Sequence, residues 1–409
     1  MRGVIIFIIT LLIFAPVYGL SLDQAVSMAK KQNPEISAWQ SIWKAAQAKV
    51  VQVSTWPDPQ IEVMYEQIPQ AGGSLADAQM KMYGFSQMIP FPGTLTLKRL
   101  REEDAAKAAQ EKFQAKTNEI IAKVKNAYYA LYYLNQAIEI NQENKSLLNK
   151  FAKIAQAKYV VGKASQHDVI KSQVELDLLT NKLITLEQKR QTARARLNTL
   201  LNREPATQID LPKEIKINDP ALSLAKLEQT ALRNRPELQA AAHQVEQTEK
   251  SHTLAKMQYL PDFKIKVLQR EMQTTGLNGW NVSLMANLPV WFWAKTSAVT
   301  YAGENQAAAE ASWQNLKNMV RFEVQDSYVA VDSAKRLAAL FKNKIIPQAE
   351  QALRSATIAY QSDKVDFLTL INSQKTLEDS KLKYWQAFSG LGQSLAELER
   401  IIGGFNNEK

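Results

Sequence analysis

The chain of 409 residues contains no cysteine. That removes disulfide frameworks, thiolate zinc sites and cysteine nucleophiles together. Histidine is nearly as rare. His167, His243 and His252 are the three present, and the last two lie nine residues apart, which is not a ligand spacing on a helix. Neither a catalytic constellation nor a cofactor motif emerges, so no catalytic residues, metal ligands or cofactor are expected and the chain does not read as an enzyme. Glycine is scarce too, at 14 residues, about half the ~7% average usage. Glycine and proline punctuate structure, so their scarcity means few turns and long elements. This argues against α/β folds and sandwiches, which need many tight connections. The net charge of +10 is modest for the length and spread along it, and a pI of 9.4 alone gives no support for nucleic-acid binding.

Long apolar runs are also missing, with one exception. Val4 to Ala15 is an unbroken apolar stretch bar Thr10, too short for the ~20 residues of a membrane-spanning helix. Arg2 precedes it, and Val17 and Gly19 are small residues before Leu20. Residues 1–19 therefore read as a secretory signal peptide rather than a retained anchor. No cysteine follows, which excludes a lipoprotein anchor. The expected mature chain is exported, with no transmembrane helix.

What is present is a repeat. Leu22 to Glu35 resembles Leu224 to Glu237, Pro57-Asp58 resembles Pro261-Asp262, and Pro90 resembles Pro289. Val124 to Ala130 resembles Val324 to Ala330, and Tyr159, Lys163 and Ser172-Gln173 match Tyr360, Lys364 and Ser373-Gln374. The matches are collinear at an offset near 200 residues, so one unit occurs twice. The expected layout is a first repeat over 20–202, a connecting segment over 203–221, a second repeat over 222–402 and a tail over 403–409.

Each repeat opens with a helix capped at Ser21 or Ser223 and interrupted early by Pro34 or Pro236. A β-hairpin follows, over 59–90 in one copy and 261–290 in the other. Two long helices end each repeat, at 94–161 and 163–202, then 294–361 and 363–402. Thr94 to Val161 has no glycine or proline, which allows roughly 100 Å of helix. Heptad-like leucines such as Leu176, Leu179, Leu183 and Leu186 suggest coiled-coil packing. Pro347 falls inside the second of these long helices and predicts a kink there.

The hairpin segments alternate with period two. Ile61, Val63 and Tyr65 oppose Glu62, Met64 and Glu66. Phe263, Ile265 and Val267 oppose Lys264, Lys266 and Arg270, while Trp280, Val282, Leu284 and Leu288 oppose Asn281, Ser283, Met285 and Asn287. In the second segment Tyr83, Phe85 and Ile89 are assigned to the apolar face. Lengths of 8–11 residues approach the ~9–11 of a tilted membrane strand. Trp56, Phe91, Trp291, Phe292 and Trp293 stand at the strand ends like an interfacial girdle. Four strands cannot close a barrel, so a membrane role requires several copies to pool their strands. Met64, Met80, Met82 and Met88 lie in the strand region, and thioethers bind soft ions. With no histidine or cysteine beside them they read as flexible apolar fillers.

Over its mature length the chain resembles the TolC-type outer-membrane efflux proteins. The resemblance rests on the duplicated layout, on the tip pattern formed by Tyr159, Gly162, Asp168 and Val169, and on the strand-to-helix string Phe85 to Gly93. Pro57-Asp58-Pro59 and Ile89 to Gly93 look most like the cobalt–zinc–cadmium branch. The resemblance implies a mainly α fold with a small β part: a homotrimer whose strands form a twelve-stranded barrel in outer-membrane lipid, continued by an α-helical barrel in the periplasm of a Gram-negative cell. It implies a periplasmic adaptor and an inner-membrane pump of the RND type as partners, and a passive duct that passes substrates, heavy-metal cations among them, to the exterior. Glu62, Glu66, Lys264, Lys266 and Arg270 would face the barrel lumen. Tyr159, Gly162, Lys163 and Ser165 would dock the adaptor at the periplasmic tip. The gate candidates are Asp168, Tyr360, Asp363, Lys364, Asp366, Thr369 and Asn372, with Asp168 expected to link to Tyr360 or Lys364 between neighbouring hairpins and hold the tip closed. Thr369 and Asn372 stand where the family pattern has inward aspartates, which puts a cation-binding constriction in doubt unless Asp363 and Asp366 substitute. The other readings are a duct for type I protein secretion and a secreted coiled-coil protein without a barrel.

Overall fold

The computed structural model describes residues 19–217, 223–273 and 276–404. The apolar run of the expected signal peptide, part of the connecting segment and most of the tail lie outside the described residues. The chain is mainly helical with one small sheet, as expected. In order, the elements are α1 (Leu22–Gln32), α2 (Pro34–Ser54), β1 (Gln60–Glu66), β2 (Met80–Ile89), α3 (Thr94–Val160) and α4 (Gln166–Leu200). The second half gives α5 (Leu224–Asn234), α6 (Pro236–Met257), β3 (Phe263–Met272), β4 (Asn278–Ala286), α7 (Phe292–Leu340), α8 (Ile346–Gln361) and α9 (Phe367–Ile401).

Local chemistry sets the boundaries. Ser21 caps α1 in a capping box: its Oγ accepts from the Gln24 N–H at 3.2 Å and its own N–H donates to Gln24 Oε1 at 2.9 Å. Pro34 and Pro236 each end a first helix and begin a second, because proline is acceptable only where no intrahelical N–H is needed. Unpunctuated sequence from Thr94 yields the 67 residues of α3.

Two compact units result, and each draws on both halves of the chain. The described residues of Met1–Asn33, Ile120–Ala221 and Ser327–Leu398 form one; those of Pro34–Glu119, Leu222–Asp326 and Glu399–Lys409 form the other. The first is wholly helical apart from its connections. The Tyr128 and Tyr132 hydroxyls donate to the Leu20 and Lys213 carbonyls at 2.9 and 2.8 Å, and Asn198 Nδ2 donates to the Pro205 and Thr207 carbonyls. The Tyr128 bond holds the start of the described chain, and the Tyr132 and Asn198 bonds tie the connecting segment to the helices. Across α4 and α9, Lys375 meets the buried Glu175 at 2.8 Å and Lys182 meets Glu378 at 2.6 Å.

Pro347 does not simply interrupt its helix. Phe341–Ile345 winds as a π-turn between α7 and α8, and the Ile346 N–H donates to the Phe341 carbonyl, five residues back. Pro347, with no N–H, then occupies the first turn of α8.

The second unit holds the sheet. Its four strands are antiparallel in the order β1-β2-β3-β4. Both expected hairpins form, but β2 also pairs with β3 from Met80↔Met272 to Ile89↔Phe263, so the two are one continuous sheet. That pairing joins residues about 180 positions apart, which alternation within a strand does not encode. Gly84 marks the closest crossing: a Cβ there would stand 2.0 Å from the Val267 carbonyl oxygen. In the register, β1 and β4 are the outer strands, each paired on one side.

Candidate functional site

Register turns the period-two pattern into two opposed faces. Ile61, Phe85, Val267 and Val282 lie directly opposite one another across all four strands. Leu284 and Ile265 extend this row on one side, Val63, Tyr83 and Trp280 on the other. The face is open: Ile61 is 87% exposed, Val282 72% and Trp280 69%. Solvent-exposed apolar surface of this extent on a regular sheet marks an interaction surface. The row at its far edge turns polar, with Lys81 opposite both Tyr65 and Glu271 and the Tyr83 hydroxyl donating to Glu271.

The reverse face carries the charges. Lys266 pairs with Glu62 at 2.5 Å and Lys264 donates to Gln60 Oε1 at 2.9 Å. Arg270 and Glu66 share this face. All five residues assigned to one polar side by alternation are thus brought together on it. At the helical end, Trp56, Trp291, Phe292 and Trp293 are exposed and Phe91 is half-buried. Trp291 and Trp293 meet edge-to-face at 5.2 Å, and Phe292 stacks on Tyr259 at 6.5 Å. Asp262 fastens this end, accepting from the Phe91 N–H at 2.8 Å. Among the described residues no helix is long and apolar enough to cross a membrane.

The second set of candidates gathers in the helical unit, where the turn after α3 and the turn before α9 meet. Tyr360 is buried with Phe151, Ala155, Phe367 and Ile371 in one core cluster. Lys158 reaches across to donate to the Tyr360 carbonyl and to Asp363, and its ammonium lies 4.6 Å from the Tyr360 ring centroid. Lys163 adds a second contact to Asp363 at 3.3 Å. These two lysines, Lys158 foremost, hold the Asp363 carboxyl below the usual carboxylate range. Asp363 also has φ of 61°, a left-handed conformation that Asp tolerates better than most side chains. Burial, then the charges of Asp168 and Asp363, pushes the Tyr360 phenol up to about 12, and its buried oxygen has no hydrogen-bond partner among the described residues.

The expected bond from Asp168 to Tyr360 or Lys364 does not form within this chain. Asp168 instead occupies the third position of α4, where its backbone N–H donates to Ser165 Oγ at 3.2 Å and its carboxylate accepts from the Ser165 N–H at 3.4 Å. A helix start leaves N–H groups unpaired, and a capping box satisfies them locally. Asp366 does the same for α9, accepting from the Thr369 N–H at 2.8 Å and its hydroxyl at 2.6 Å. Lys364, Thr369 and Asn372 are exposed, as are Tyr159, Gly162 and Lys163. Gly162 turns at φ 73°. Lys158 was not singled out from the sequence, because its partner in the other repeat, Ala359, carries no charge to reveal the pattern.

One group outside both regions has the composition of a metal site. Asp104, His243 and Glu246 place ligand atoms within 4.8 Å of one another. Asp104 is already compensated by Lys250 and, at 3.5 Å, by Lys107, which opposes a further cation.

Comparison with known proteins agrees with this geometry. The family model described as outer membrane efflux protein matches the chain twice, over residues 25–203 and 227–404. The cobalt-zinc-cadmium resistance protein CzcC of Cupriavidus metallidurans is 21% identical over 392 residues, covering 94% of this chain and 90% of the relative. The toxin and drug export protein A of Aggregatibacter actinomycetemcomitans is 23% identical over 320 residues, covering 75% of this chain and 68% of the relative. Among solved structures, the outer membrane protein VceC of Vibrio cholerae superposes with a TM-score of 0.81 at 17% identity, covering 94% of this chain and 96% of its own. Two family matches, one in each half and together spanning most of the sequence, establish that the chain belongs to the outer membrane efflux protein family.

Proposed function

We propose that this protein is the outer-membrane exit duct of a tripartite efflux system. Three copies pool four strands each into a twelve-stranded barrel in the outer membrane of a Gram-negative cell, and their long helices form a tunnel in the periplasm. A periplasmic adaptor and an inner-membrane pump of the RND type complete the assembly and supply the energy.

The observation that carries this reading is the sheet. It has one mostly apolar, exposed face, interrupted by Gln87 and Gln269 and polar at its far edge, one charged face, and outer strands paired on one side only. In lipid an unpaired backbone edge costs several kcal/mol per group, so the outer strands need partners, and other copies of the same sheet supply them. On this reading Ile61, Phe85, Val267 and Val282 face lipid, Trp56, Phe91, Trp291, Phe292 and Trp293 sit at the interface, and Glu62, Glu66, Lys264, Lys266 and Arg270 line the lumen. The tip at Gly162 and Asp363 is the periplasmic end, where Tyr159, Gly162, Lys163 and Ser165 meet the adaptor and the Lys158–Asp363–Lys163 cluster holds the aperture. Asp363 and Asp366 are both engaged by local partners, so neither supplies a free carboxylate for a cation constriction. The similarity to CzcC supports heavy-metal cations as the exported class.

Heat-resistant trimers in detergent-extracted outer membranes, with single-channel conductance in planar bilayers, test the duct. Solubility without detergent would overturn it in favour of a secreted coiled-coil protein. A duct for type I protein secretion is a second reading, supported by the similarity to a toxin and drug export protein. Genes for an adaptor and a pump beside this one, and the pump's class, separate the two.

A further inference from the structure

Every methionine in the strands falls on the charged face of the sheet. Met64, Met80, Met82, Met88, Met272 and Met285 all share it by register. Random alternation would place six residues on one given face roughly one time in sixty. The opposite face supplies an internal control: its apolar positions are Ile, Val, Phe, Leu, Tyr, Trp and one Ala, with no methionine. Methionine used only as an adaptable filler belongs on the apolar side, not among lysines and glutamates.

Four of the six form a patch. Met64 lies directly opposite Met82, and one rung away Met80 lies directly opposite Met272. Opposed residues on one face place their Cβ atoms about 4.5–5.5 Å apart, within reach of one another for side chains as long and flexible as methionine. Met82 is 6% exposed, against 46% for Met88 and 44% for Met285, so the patch holds the least exposed of the six methionines. The Met82 sulfur accepts from Asn281 Nδ2 at 3.4 Å, which shows its lone pairs turned to the polar side. Glu66 stands opposite Met80 and Arg270 opposite Met82, so the flanking charges cancel.

Thioethers are neutral, soft ligands that select soft monovalent ions over zinc or magnesium. The geometry points to a thioether site for Cu(I) or Ag(I) built from Met64, Met80, Met82 and Met272. The site stands on strand register; only its place inside a lumen rests on the exit-duct reading.

Titration of the purified full-length protein in detergent with Ag(I), and separately with Zn(II), tests it. Saturable Ag(I) binding is expected, weakened at least tenfold when all four residues are changed to leucine and unchanged by Met88→Leu with Met285→Leu. No Ag(I) binding by the wild type, or equal binding by the fourfold variant, overturns the site. Should the fourfold variant not fold, peroxide oxidation of the wild type read by mass spectrometry decides: Ag(I) is expected to protect the four methionines several-fold and spare Met88 and Met285 no oxidation. Absence of protection overturns the inference. Ag(I) binding without bilayer conductance would leave the site standing and remove the duct.

Discussion

Gly392 lies against the ring of Tyr129 so closely that a Cβ on the glycine would stand 2.6 Å from the ring carbons. Tyr129 is 5% exposed, and its carbonyl accepts from Ser389 Oγ at 2.9 Å, one turn before the glycine. The two helices therefore approach on small residues, with no room for a methyl group. Gly392→Ala is expected to destabilise the protein by about 1–3 kcal/mol through overpacking. Gly390, two residues away with nothing within 4 Å of its Cβ position, is the control. Gly390→Ala should be neutral or stabilising by up to ~1 kcal/mol, as helix propensity favours alanine. Thermal melting of both variants checks the pair; equal melting points would contradict the contact.

Asp363 joins the two turns at the helical tip through Lys158 and Lys163. Asp363→Asn keeps a residue that accepts positive φ but removes the charge that both lysines seek. On the proposed gate, this variant raises single-channel conductance, and Lys158→Met raises it similarly, whereas Asp168→Asn disturbs the cap of α4 more than the aperture. Unchanged conductance in both Asp363→Asn and Lys158→Met would sink the gate.

Tyr360 offers a pH test. Its phenol titrates near 10 when unfolded and is pushed up to about 12 when folded. A value raised in the folded state means stability is fully present below pH 10 and is lost as pH rises from about 10 through about 12. Tyr360→Phe should remove one late-ionising phenol from the ultraviolet titration. It should cost little stability at pH 7, because the hydroxyl is buried without a partner. A large loss at pH 7 would show that the hydroxyl does have one.

Parity on β4 tests which face meets lipid. Val282 belongs to the apolar row and Ser283 to the charged face, opposite Lys266. Val282→Arg should reduce heat-resistant trimers in the outer membrane, with a cost of about 2–4 kcal/mol at mid-membrane depth. Ser283→Arg should assemble and change ion selectivity. The reverse pattern would mean the faces are exchanged.

Much of this was legible because the signals are local. Missing glycine and proline between Thr94 and Val160 announce one helix, and Ser21 announces the start of another. Alternation in Gln60–Glu66 assigns Ile61 and Glu62 to opposite faces without any partner strand. What alternation could not supply was pairing between repeats. That Phe85 opposes Val267, and hence that Met80 opposes Met272, depends on register between distant segments. Charges at the tip were likewise visible, but not their partners. A first-turn aspartate such as Asp168 is attractive to any nearby cation, yet the N–H groups of its own helix are closer and always present.

The π-turn before Pro347 fixes more than a local hydrogen bond. A turn that closes over five residues holds one more residue than an α-helical turn, so everything beyond it is rotated by about 100° relative to a continuous helix. Ala349, Leu353, Ala356 and Tyr360 reach the core with that rotation included. The stretch Phe341–Ile345 is therefore a phase setting for the tip: its composition is free to vary, with three of its five side chains exposed, but its length is not. Loss or gain of one residue there would turn Tyr360 away from Phe367 while leaving every contact sequence-adjacent to the change intact.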